Sequence, residues 1–144
     1  MEIKVLLLAS ENFKDLVRIQ SSVLNIIESV IMNTQKDERE ENTVEALVSF
    51  NVMSHTEGDD RIKEVLKNYD LDFNHLTKDK SYIEHTNQLD PNVIVMFLDP
   101  TYEEEGILET IAFAIRSAIE IYIVTQPPDF LRGNIQAYDA STVN

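Results

Sequence analysis

The chain of 144 residues contains no cysteine and no tryptophan, and only three glycines and four prolines. Without cysteine there is neither a disulfide framework nor a thiolate site for zinc or an iron–sulfur cluster. Scarce glycine and proline leave few points at which the chain can break, so regular elements should be long. Basic residues are also few: 12 Lys plus Arg stand against 26 Asp plus Glu, for a net charge of −14. A field of that sign repels nucleic-acid backbones and anionic membranes, and attracts basic proteins or cations; it also serves simply to keep a protein soluble. The opening run Met1 to Leu8 is too short for a membrane span or a signal peptide, so the expectation is a cytoplasmic protein with no direct contact to membrane or nucleic acid. There is no repeat or low-complexity tract, and the one charge run, Lys36 to Glu41, reads as a solvated loop or helix end.

What is present is an alternation of strand and helix patterns. Ile3 to Leu8 is almost continuously apolar, as in a strand buried on both faces. Ser10 offers a helix N-cap, and Phe13, Leu16, Val17, Val23, Leu24, Ile27 and Ile31 recur at helical spacing to about Met32. Val44 to Met53 alternates like a strand, and Asp59 and Asp60 then precede a shorter helix carrying Ile62, Val65 and Leu66. Leu71 to Leu76 reads as a short strand, followed by a helix over Lys78 to Gln88 capped by Thr77. Asp90-Pro91 breaks the chain before the second fully apolar strand, Val93 to Leu98. Thr101 and Glu104 form a candidate capping box for a helix whose inward face is Ile107, Leu108, Ile111, Ile115 and Ala118. Ile119 to Val124 alternates like a half-exposed strand near a sheet edge, and Ile135 to Tyr138 offers one more short strand.

This order predicts a single α/β domain over residues 1–144: three layers, a mostly parallel sheet and helices on both faces, Rossmann-like or flavodoxin-like. In such sheets ligands bind outside the carboxyl ends of the strands, where strand order reverses. That edge carries Ala9 to Phe13 and Asp99 to Gly106. A phosphate site there would need clustered glycines, and the turn after the first strand has none. From Ser81 through Ile115 there is no Lys or Arg, against seven acids, so phosphorylated cofactors are excluded and no cofactor is expected. His55, His75 and His85 match no metal-ligand spacing, and Asp99, Glu103 and Glu105 are explained by a helix dipole rather than by a cation. Ser10 lacks the glycine-flanked elbow of a nucleophilic serine. Two carboxylates remain. If the fourth helix begins near Gly106, Glu109 projects at the mouth of the sheet edge across from Asp99, and such a pair can break a glycosidic bond. If the helix begins earlier, Glu109 is a solvated helix acid.

The stretch Leu8-Ala9-Ser10-Glu11-Asn12-Phe13, the strand Asp90 to Asp99, and Glu105-Gly106-Ile107-Leu108-Glu109 with its alanine-bearing helix resemble the nucleoside 2-deoxyribosyltransferase-like superfamily. The resemblance implies Glu109 as the nucleophile on the anomeric carbon, Asp99 as the group that orients the nucleoside or assists proton transfer, and Ser10 and Phe13 as substrate-binding, with Phe13 walling the base. Ser10 stands where the family usually has Gly, and Gly106 precedes Glu109 by three residues rather than the more usual four. Three readings follow: an enzyme on N-glycosidic bonds, an acidic inhibitor or nucleic-acid mimic that binds a basic protein, and a sensor that binds an uncharged nucleoside-like molecule without chemistry. The half-exposed strand from Ile119 and the long first helix each offer a face to a second copy, so a homodimer is also open.

Overall fold

The computed structural model describes residues 2–37, 48–99 and 105–126. Among these the order is β1 (Ile3–Ala9), α1 (Leu16–Asp37), β2 (Val48–Met53), α2 (Glu57–Asn68), β3 (Phe73–Leu76), α3 (Tyr82–Leu89), β4 (Val93–Leu98), α4 (Glu105–Arg116) and β5 (Glu120–Thr125). The five strands form one sheet in the order β3-β2-β1-β4-β5, and every pairing is parallel. This is the expected three-layer α/β architecture, with the order reversing between β1 and β4.

The period-two geometry of a strand divides the core into two layers. Val5, Leu7 and Ala9 of β1 pack with Ile19 and Val23 of α1 and Ile62 of α2 on one face. Leu6 and Leu8 pack with Ile107 and Ala114 of α4 and Tyr82 of α3 on the other. β2 is buried on both faces and carries Asn51, 2% exposed, whose side-chain amide donates to the Val5 and Ser49 carbonyls and accepts from Asn74.

Three local expectations are corrected. Ser10 does not cap α1: its hydroxyl accepts from the Asp99 backbone amide, and Phe13 N–H turns back to its carbonyl, so the helix begins six residues later. Asp15 is the cap, accepting the Arg18 amide at 3.2 Å, and this start sets the helix phase. Ile19 and Val23 face the sheet, Val17 is 67% exposed, and Phe13 is not helical at all. Thr77 does not cap α3, because its hydroxyl is bound to the Asp79 carboxylate. Ser81 caps it instead in a capping box with Glu84, so the helix starts at Tyr82. In α4 the inward stripe is Ile107, Thr110 and Ala114; Leu108 and Ile115 are 58% and 69% exposed, and Ala118 lies beyond the helix at φ 57°. Thr110 is concealed in the core because its hydroxyl donates to the Gly106 carbonyl four residues back. The expected capping box at Thr101 and Glu104, the start of β2 at Val44 and the strand at Ile135 fall outside the described residues.

The long-range tie that closes the sheet's carboxyl edge is Gln126, just after β5 and 2% exposed. Its Oε1 accepts the Lys14 and Asp15 amides at 2.9 and 3.1 Å, and its Nε2 donates to the Asn12 carbonyl at 2.8 Å. No single backbone group could satisfy three partners at once. Gln126→Ala should lower stability by about 2 kcal/mol, because two partly buried amides and a carbonyl lose their partner. Gln126→Glu should not restore it, since a carboxylate cannot donate to Asn12; urea unfolding of both variants measures the difference.

Candidate functional site

The crevice between the ends of β1 and β4 is where this topology places ligands. The structure does bring Ser10 and Asp99 together there, through the Asp99 amide to Ser10 Oγ hydrogen bond of 2.9 Å and the Ser10 amide to the Phe97 carbonyl at 2.9 Å. Both residues are buried, Ser10 completely and Asp99 to 7% exposure. The crevice is filled from the side by the first turn of α2. Thr56, the cap of α2, donates its hydroxyl to the Ala9 carbonyl at 2.6 Å. Gly58 lies so close to the Ser10 carbonyl that a Cβ there would sit 2.1 Å from the oxygen.

Asp59 completes this junction. It is fully buried, and its carboxylate accepts three backbone amides, from Ala9 at 2.8 Å, His55 at 2.8 Å and Thr56 at 3.1 Å. Burial raises its pKa to about 6, against the opposing pull of those amides and of Lys63. The carboxylate therefore ties strand to helix and has no open face toward a ligand. Sequence alone marks Asp59 only as an acid in a helix's first turn; its bond to Ala9 spans fifty positions of chain.

Phe13 is also fully buried, its ring 5.4 Å from that of Phe97, so it belongs to the core and does not wall an open pocket. This corrects its expected place beside a bound base. Glu109 is exposed, on the face of α4 opposite the Ile107, Thr110 and Ala114 stripe. Asp99 is buried and Glu109 is exposed, so the two carboxylates expected to act together sit in different surroundings.

The fold does gather two of the three histidines. His55 stacks on Tyr82 at 4.4 Å and meets His85 edge-on at 6.0 Å. Each directs Nε2 to a main-chain carbonyl, His55 to Lys80 and His85 to Thr77, which fixes the proton on that nitrogen. These contacts hold the loop before α3. Among the described residues no group of three His, Asp or Glu side chains is arranged to hold a metal ion. No described helix is long and apolar enough to cross a membrane.

An open concavity lies elsewhere, on the α1 side of the sheet. It is a groove of ≈ 540 Å³ between α1 and the face of β1, β4 and β5 that carries Val5, Val95 and Val124. Val5, Val95 and Val124 form its floor. Ser22, Asn25 and Ile26 of α1 form one wall, and Glu120 and Tyr122 of β5 form the other. The Tyr122 hydroxyl donates to the Glu120 carboxylate, which raises the pKa of the phenol. Among the described residues no Lys or Arg lines the groove. Its residues come from four separate elements, so no local motif announces it. No family model, curated protein or solved structure shows a significant match to this chain.

Proposed function

We propose that this protein is a non-catalytic binding domain that takes an uncharged, ring-bearing small molecule of nucleoside type in the groove between α1 and β5. The observation that carries this reading is the chemistry of the groove. Its volume falls within the range of about 300–1,000 Å³ usual for small-molecule sites, with a mostly apolar lining and a few polar groups. Val124 and Tyr122 offer surfaces for a planar ring, while Ser22, Asn25 and Ser29 offer hydrogen bonds to hydroxyl groups. Glu120, with no Lys or Arg among the described lining residues, disfavours a phosphorylated ligand. The nucleoside class rests on the sequence resemblance, whose residues lie outside this groove; the groove adds the preference for a neutral ligand.

Two rival readings have less support. An enzyme of the expected kind requires Asp99 and Glu109 to meet, and one is buried while the other is on the outer face of α4. A nucleic-acid mimic requires its acids displayed in an array. Here Asp15 caps α1, Asp59 is buried, and Glu84 closes the capping box of α3, where the Ser81 bonds hold its pKa down.

The test is incubation with deoxynucleosides and a second free base, with binding and product measured together. The expected result is saturable nucleoside binding with no base freed or exchanged. Filling the groove with Ser22→Trp should weaken binding about tenfold or more, whereas Glu109→Ala should leave it unchanged. Base release that depends on Glu109, or binding indifferent to Ser22→Trp, would overturn the reading.

A further inference from the structure

Among the described residues, no strand covers the outer edge of β5. β5 pairs with β4 along all six of its residues and is the terminal strand, with no described strand on its other side. In a parallel pair every second residue turns its amide and carbonyl outward, so this edge presents main-chain donors and acceptors with no described strand opposite them; the Thr125 carbonyl at its end accepts from Arg18. Natural edges of this kind are blunted by lysine, proline or inward charge, and β5 (Glu-Ile-Tyr-Ile-Val-Thr) carries only Glu120. Its side chains are exposed apolar groups, Tyr122 at 50% and Ile123 at 48%.

Helix α4 extends the same surface. Its Gly106 faces α3, where a Cβ would meet the Tyr82 ring at 2.4 Å. At 100° per residue, Leu108, Ala112 and Ile115 lie on the flank turned away from α3, toward the β5 edge. Leu108 and Ile115 are the exposed pair that the sequence pattern assigned to the core. On the α4 face of the sheet, Leu108 and Ile115 of the helix and Ile123 of the strand thus present one apolar band, while Tyr122 faces the α1 side.

We propose that this band is the interface of a homodimer, in which β5 pairs antiparallel with β5 of a second copy and α4 packs on its counterpart. A second copy is the occupant that fits, on two grounds. A strand edge is its own complement when turned about a two-fold axis, and pairing centred on Tyr122 keeps like faces together, joining both sheets into one. The same axis sets the two α4 helices antiparallel, which brings the exposed Glu109 of each copy to Arg116 of the other. Those are oppositely charged groups on the outer rim of the band, so the apolar centre has a charge-complementary border.

Sedimentation equilibrium on the full chain tests this. The expected species is a dimer of the 16.5 kDa chain at about 100 μM, a concentration well above the dissociation constant of a standard-sized interface. Leu108→Glu with Ile115→Glu, both on the surface and so compatible with folding, should weaken it about tenfold or more. Arg116→Glu should weaken it as well, and adding Glu109→Arg should restore it. A monomer at that concentration, a dimer indifferent to the double Glu variant, or a charge exchange that fails to restore association would overturn the proposal. Circular dichroism of each variant confirms that a lost dimer is not a lost fold.

Discussion

Gly58→Ala should be among the most destabilising single-methyl additions available to this chain, lowering stability by about 3 kcal/mol. The reason is contact and not backbone freedom, since no described glycine has positive φ. A Cβ at Gly58 would lie 2.1 Å from the Ser10 carbonyl oxygen, 3.1 Å from its carbon and 2.8 Å from Ala9 Cβ. None of these is the movable end of a long side chain. Relief requires α2 to withdraw from β1, and withdrawal breaks the Thr56 hydroxyl bond to the Ala9 carbonyl and the Asp59 bond to the Ala9 amide. In a chain of this size the loss corresponds to a fall in Tm of roughly 10 °C. Alanine at the exposed neighbour Glu57 is the control, and it should shift Tm little.

The second large effect comes from Asp59. Replacing it with Ala leaves the amides of Ala9, His55 and Thr56 without an acceptor in a buried junction, a cost of about 3 kcal/mol near pH 4. The cost depends on pH, and the direction follows from proton linkage. Burial raises the folded pKa from 3.8 to about 6, so between those values the folded state holds a proton that the unfolded state has released. Stability from this group is fully present below pH 3.8 and is lost as pH rises through about 6. The wild type's advantage over Asp59→Ala should therefore shrink across this window, by up to about 3 kcal/mol. Paired urea titrations from about pH 4 to about pH 7 measure the gap directly. A gap that widens with pH would mean that the three amides and Lys63 outweigh burial.

Much of the scaffold is legible in the residues because it depends on local pattern. The unbroken apolar runs of β1 and β4 announce strands buried on both faces, and the alternation after Ile119 announces an edge. Helix phase is less legible, because it depends on where each helix starts. Ser10 has the chemistry of a cap, yet its hydroxyl serves the Asp99 amide; the cap falls five residues later, at Asp15, and Val17 turns outward. In α4 the apolar character of Leu108 and Ile115 outweighs that of Thr110 in any sequence pattern, while in the fold Thr110 hides its hydroxyl and takes the buried place. Ser81 with Glu84 was a readable signal for the start of α3, masked by the equally plausible Thr77.

The site divides in the same way. Topology directs attention to the strand ends that carry Ser10 and Asp99, and these two meet through a hydrogen bond that no spacing in the sequence foretells. Whether that crevice is open depends on α2, and nothing near Ser10 in the sequence reveals that Gly58 and Asp59 close it. The groove beside β5 is equally silent, since it assembles residues from Ile3 to Val124 that no spacing rule connects.

Amide-resolved NMR titration with an uncharged nucleoside tests the central claim most directly. The account predicts that shifts concentrate at Ser22, Asn25, Val95 and Tyr122, and that the matching 5′-monophosphate produces weaker ones. Shifts concentrated instead at Ser10, Asp99 and Gly58, or equal responses to the nucleoside and its phosphate, would contradict it.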